Sequence, residues 1–186
     1  MIHHLKLKTL LPVVLALLGI ALFTGLIIKH ERHFQKGQSV YVKLQPVDPR
    51  SILQGDYMVL NYDLNFHDVD EQQIQNQAKL VTYVYLDAKR RVLETRLNEH
   101  LAVKSTKPIK LVLKNPRNQL DALYPAANSF LFAEGLEPCY SNAEYAHLRV
   151  KSNGQALLAA LVDQDLKSLN CEQQQKWSDA ANEKKS

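Results

Sequence analysis

Hydrophobicity changes its period once along this chain. Residues 10–28 form an uncharged, mostly apolar run of nineteen positions that stops at Lys29, His30, Glu31 and Arg32. A helix rising about 1.5 Å per residue nearly covers, over that length, the roughly 30 Å hydrocarbon core of a bilayer. The run lacks the polar stripe that a helix packed on the core of a water-soluble domain carries. The pattern predicts a single transmembrane helix over 10–29, after a tail over 1–9 and before a linker over 30–37.

Beyond the linker the period becomes two, the signature of half-buried strands. Val40, Val42 and Leu44 alternate with Tyr41, Lys43 and Gln45; Met58, Leu60, Tyr62 and Leu64 alternate with Tyr57, Val59, Asn61 and Asp63. Val81, Tyr83 and Tyr85 alternate with Leu80, Thr82, Val84 and Leu86, and residues 87–91 read as a hairpin tip returning through 92–97. Residues 108–113 predict another strand. Asn153-Gly154 between apolar flanks is a strong hairpin signal. Helix is sparse: Asp68 reads as the cap of a short polar helix over 68–77, and residues 141–145 supply another turn. The fold class is α+β, a mostly antiparallel β ectodomain over 38–170 behind one amino-terminal transmembrane helix. Residues 171–186, polar except for Trp177, read as a disordered tail.

Within the apolar run, Thr9 reads as the N-cap, Pro12 falls in the first turn, and Ala21 with Gly25 makes a small-xxx-small pair suited to helix pairing. A cut after the only small-x-small pair with apolar sequence before it, Gly19 and Ala21, would leave a greasy new terminus, so an uncleaved signal-anchor is expected. Lys6 and Lys8 precede the span while Lys29, Arg32, Lys36 and Lys43 follow it, a count that leans against export of the domain. The short tail, with its basic-then-apolar order, favours the opposite outcome: tail inside, domain outside.

Charge narrows the function classes. The formal net charge is +4, but Lys6, Lys8 and Lys29 belong to the anchor region, and residues 30–186 carry 20 basic and 19 acidic residues. A nearly neutral domain has no nucleic-acid footprint. The two cysteines, Cys139 and Cys171, can pair in an oxidising compartment and would be ordinary thiols in cytosol. Catalytic signatures are missing: no Gly-x-Ser-x-Gly elbow, no phosphate loop, no His-Glu-x-x-His and no Cys-x-x-Cys. His67, Asp68, Asp70 and Glu71 cluster within five residues, but with no second cluster to complete a shell they read as a solvated helix start, leaving no metal and no cofactor assigned. His100 and His147 stand isolated.

The most distinctive segment runs from Pro46 to Tyr62. Its prolines and Asp48-Pro49 step forbid regular structure, Gly55-Asp56 permits a sharp corner, and a strand begins at Tyr57. Asp56 in such a turn accepts backbone N–H groups or pairs with Arg50; alternatively Arg50, Asp56 and Tyr57 line a pocket or meet a partner.

This segment resembles the GDYXXLXY proteins: Gly55, Asp56, Tyr57, Leu60 and Tyr62 match the fixed positions, and Asp48 and Arg50 are similar to the lead-in. Glu134-Gly135, Tyr145, Arg149 and Gly154 look like the family's carboxy-terminal block. The resemblance implies a membrane-anchored domain of uncharacterised role, often encoded beside multi-pass membrane proteins. The expected protein is therefore a non-catalytic accessory or interaction module for such a neighbour, anchored in the bacterial inner membrane lipid bilayer with its domain in the periplasm. The runner-up is an envelope hydrolase or ligand-binding sensor with a site around Asp56 and Tyr57. A faint likeness to the segment after the nucleophile of membrane-anchored signal peptidases lacks the serine expected before the proline.

Overall fold

The computed structural model describes residues 2–45, 57–67, 69–99 and 107–173. It divides into an amino-terminal helix ending at Lys36 and a body beginning at Gly37.

The helix, α1, spans Ile2–Lys36. Within it Leu11–Arg32 is long and apolar enough to cross a bilayer, with a mean hydropathy of 2.7, and its leucines, isoleucines and valines are exposed. Two expectations change here. The backbone is already helical from Ile2, so Thr9 does not cap it and Pro12 lies inside it. The stretches read as tail and linker extend the same helix, because lengthening an existing helix avoids a second nucleation.

The body is built from antiparallel pairs. Strand β1 (Gln38–Leu44) buries Val40, Val42 and Leu44. It pairs with β8 (Tyr145–Val150) from Gln38 opposite Val150 to Lys43 opposite Tyr145. Strands β3 (Tyr62–Asp63) and β9 (Ala156–Val162) complete this sheet in the order β3-β1-β8-β9. A second sheet places β4 (Lys79–Leu86) between β5 (Val92–Arg96) and β6 (Ile109–Lys114). A two-stranded ribbon joins β2 (Tyr57–Val59) to β7 (Ser129–Leu131).

Both larger sheets feed one core, in which Val40, Val42, Leu148 and Val150 cluster with Leu80, Val84, Leu111 and Leu113. Fully burying one such aliphatic side chain contributes roughly 1.5–3 kcal/mol, so the alternation of apolar residues decides which strand face turns inward. Two threonines share this interior without leaving a hydroxyl unbonded: Thr82 Oγ1 donates to the Leu111 carbonyl at 2.8 Å and Thr95 to that of Leu64. The sheets are tied at two edges. Tyr41 N donates to the Arg90 carbonyl at 3.0 Å, docking the 87–91 hairpin tip on β1, and Val112 N donates to the Gly154 carbonyl at 2.9 Å.

Short helices differ from the sequence expectation. Helix α2 is Glu71–Ile74, and its cap is Asp70, which accepts from Gln72 N while Gln73 returns the bond to the Asp70 N–H. Asp68 lies outside the described residues. The reciprocal Asp–Gln arrangement satisfies two orphan donors at once, which fixes the start there. The turn expected over 141–145 is instead α3 (Glu137–Tyr140), favoured by Pro138 in its first turn, and Tyr145 opens β8. Cys171, read as the start of a disordered tail, is buried.

Gly154 turns the β8–β9 hairpin at φ +87°, and a Cβ there would meet Val112 Cγ2 at 3.0 Å and Lys110 Cγ at 3.1 Å. Gly135 has a similar φ of +83° with nothing within 4 Å. A left-handed conformation costs a non-glycine residue about 1–2 kcal/mol. Gly135→Ala is therefore expected to lower the thermal midpoint of the full chain by roughly 2–8 °C, and Gly154→Ala by more, the excess measuring the close approach to β6. Equal shifts in differential scanning fluorimetry would refute a packing role for Gly154.

Candidate functional site

Residues 57–64 keep the alternation read from sequence but not as one strand. Met58, Leu60, Tyr62 and Leu64 are buried, while Tyr57, Val59 and Asn61 are exposed. The chain nevertheless changes partners midway: β2 lies beside β7 and β3 beside β1. Backbone bonds at the break hold both sides, with Leu60 N donating to the Asn128 carbonyl at 2.9 Å and Gln45 N to the Asn61 carbonyl at 2.8 Å.

The second motif tyrosine closes this junction. Tyr62 Oη donates to the Ala127 carbonyl at 2.6 Å, beside the Asn128 carbonyl that serves Leu60. Together these bonds tie the approach to β7 onto the motif. Burial holds the Tyr62 hydroxyl protonated well above its ordinary value of 10.0, outweighing the opposite pull of the Ala127 bond. Leu60 and Tyr62 thus have structural work, and neither presents a reactive atom to solvent.

The first motif tyrosine points the other way. Tyr57, 38% exposed, stands opposite Leu131, 75% exposed, on the ribbon, with Val59 beside them at 37%. Three apolar side chains thus share the outer face of a two-stranded element. Below the ribbon a cleft of about 350 Å³ opens beside Val59, Leu60 and Asn61, with Gln45, Arg117 and Tyr124 among its walls. Lys114 Nζ lies 5.2 Å from the Tyr124 ring centroid, within cation–π range.

Asp48, Arg50, Gly55 and Asp56 lie outside the described residues, and with them the expected Arg50–Asp56 pairing; His100 does too. Glu134 and Gly135 form an exposed turn before α3. Cys139 on α3 is bonded to Cys171, with Cα atoms 5.8 Å apart, which fastens the end of the described chain to the body. Among the described residues no group of three His, Cys, Asp or Glu side chains is placed to hold a metal.

A polar cluster on the outer face of β1 and β8 brings together Arg149, read from sequence as part of the carboxy-terminal block, and His147, read as isolated, with Ser39, Tyr41 and Arg90, which sequence reading did not single out. Cross-strand register sets Ser39 opposite Arg149 and Tyr41 opposite His147. Arg149 Nη1 donates to Ser39 Oγ at 2.8 Å, His147 Nε2 lies 3.0 Å from the same oxygen, and the Tyr41 and His147 rings stack with centroids 4.7 Å apart. Arg90, from the docked hairpin tip, donates to the Ser39 carbonyl at 2.6 Å and to Gln38 Oε1 at 3.2 Å. Next to it Arg91 Nε donates to Asp87 Oδ2 at 2.7 Å. Alternation on β1 signalled which of its residues turn outward; only the pairing register sets the β8 residues beside them.

Because folding raises the Tyr62 pKa, its contribution to stability is complete below pH 10 and is lost as the pH climbs further, when the unfolded chain ionises first. Tyr62→Phe is expected to cost about 1 kcal/mol at neutral pH through the lost bond to Ala127. It should also flatten the fall in unfolding midpoint between pH 9 and 11; a fall as steep as in the unaltered chain would contradict the assignment.

The model of the family described as GDYXXLXY protein matches residues 19–161. No curated protein and no solved structure matches the chain. With an apolar anchor helix, a mostly antiparallel β body and a motif seated where two sheets exchange a strand, the chain belongs to the GDYXXLXY protein family.

Proposed function

We propose that this protein is a non-catalytic accessory module, held in the bacterial inner membrane by α1 as an uncleaved signal-anchor, that binds a neighbouring multi-pass membrane protein from the periplasmic side. The observation that carries the reading is the ribbon: the family motif turns Leu60 and Tyr62 inward for structure and leaves Tyr57, Val59 and Leu131 exposed together. Contiguous apolar side chains left at the surface are the kind of patch that protein–protein contacts use. Tyrosine suits this use because one ring supplies a large apolar area and a polar end. Tethering concentrates module and partner in one membrane, so a small ribbon is sufficient contact.

The Cys139–Cys171 bond supports the periplasmic side, since such bonds persist in oxidising compartments. In membranes isolated with alkylating agent present, both cysteines should resist maleimide labelling until a reductant is added. Immediate labelling would place the domain in the cytoplasm. Removing the bond with Cys171→Ser should then cost about 3–4 kcal/mol, the loop-closure value for a separation of 32 residues.

The interaction itself is tested by mild solubilisation and co-purification. Tyr57→Thr combined with Leu131→Thr is expected to abolish recovery of the membrane partner while lowering the thermal midpoint only slightly, because threonine keeps the strand propensity of the two opposed positions. Undiminished recovery would sink the ribbon as the contact. The cleft beside Leu60 and Asn61 favours a second reading, a ligand-binding sensor; loss of a ligand-induced rise in thermal midpoint on Arg117→Ala would select it.

A further inference from the structure

We propose that the open edge of β9 and the cavity beside it take up an extended segment of a partner protein, adding it as a further strand and holding one of its lysine or arginine side chains.

The edge is the first argument. Strand β9 ends its sheet, and among the described residues positions 156–160 have a strand neighbour only in β8. Farther along, the chain covers its own edge: Ser168 bridges Val162, and Leu169 N donates to the Leu161 carbonyl at 3.4 Å. A free edge presents a row of backbone donors and acceptors, which proteins commonly guard with charge or proline. The sequence Ala156-Leu157-Leu158-Ala159-Ala160-Leu161-Val162 contains neither. Strand addition draws affinity from such backbone groups and selectivity from a pocket beside them.

A cavity of about 200 Å³ adjoins this edge. Ala159, which the pairing with β8 skips, and Leu161 reach its wall from β9, and a bulge re-aims a side chain in this way. Phe130 of β7 and Tyr140 of α3 add two rings with centroids 5.0 Å apart, and Glu172 adds a carboxylate. The Cys139–Cys171 bond joins the neighbour of Tyr140 to the neighbour of Glu172, so it braces the aromatic wall against the acidic one.

Charge identifies the side chain. Glu172 is the one charged residue lining the cavity, and among the described residues it enters no ion pair. Its field is felt inside: burial first, and then the Glu172 charge, raise the Tyr140 hydroxyl above its usual 10.0. Lysine and arginine lay an apolar stem along such walls while the charged head stays at a polar rim, and a cation gains further from a nearby aromatic face. An acidic side chain would instead be repelled. Strand alternation turns Phe130 away from the face that carries Leu131, so this surface is separate from the outer face of the ribbon.

The test uses the full-length chain in neutral detergent micelles with the dye-labelled peptide Thr-Val-Thr-Lys-Thr-Val-Thr, read by fluorescence anisotropy. The peptide is expected to bind. Exchanging its lysine for norleucine, or making Glu172→Gln in the chain, should weaken binding about threefold each, and the two changes together no further. Methylating alternate peptide nitrogens should abolish binding, because the backbone donors are lost. Equal affinity for the norleucine peptide overturns the basic side chain, and equal affinity for the methylated one overturns strand addition. If no peptide binds the proposal fails, and two chains per micelle in native mass spectrometry would then assign the edge to a second copy. Glu172 makes no bond among the described residues, so Glu172→Gln reads binding without disturbing the fold.

Discussion

The pairing of β1 with β8 brings together segments more than a hundred positions apart, and most of the body follows from its register. Setting Val40 opposite Leu148 and Val42 opposite Ala146 puts four core residues on one face. The same register puts Ser39 opposite Arg149 and Tyr41 opposite His147 on the other. A slip of one residue would exchange the faces, burying Arg149 and exposing Leu148, so burial enforces the alignment strongly. Once β1 is placed, its free edge receives the 87–91 tip through Tyr41 and Arg90, and the β8–β9 turn meets β6 at Gly154.

The family motif works within that frame as a junction. Between Tyr57 and Tyr62 the chain leaves the β2–β7 ribbon and enters the sheet that contains β1, while continuing to bury every second residue. Leu60 supplies the buried anchor and a backbone bond to Asn128; Tyr62 supplies a ring for the core and a hydroxyl for Ala127. Phenylalanine would fill the same space and leave that carbonyl unserved. Tyr57 is bound by none of these duties, and its ring stays at the surface.

The membrane helix adds a different constraint. A long apolar helix that leads directly into β1 gives the body a fixed starting point in the chain, and the polar cluster at Ser39 begins almost at once after it. The ribbon and the polar cluster are built on different elements of the same body, one with apolar side chains outward and one with polar ones.

Much was legible before any coordinates. The charge-free run over 10–28 dictated a membrane-crossing helix because length and apolarity are local properties. Alternation dictated the buried faces of β1 and of residues 57–64, because a two-residue period is written in the chain itself. Asn153-Gly154 announced the last hairpin through its turn chemistry. Long-range choices were not legible. The partner switch at Leu60 and Asn61, the replacement of Asp68 by Asp70 as a cap, strand β7 and the meeting of Ser39, Arg90, His147 and Arg149 depend on which strands lie side by side. That selection is made by the summed burial of many side chains and by backbone bonds between distant segments, quantities that belong to no single stretch of sequence.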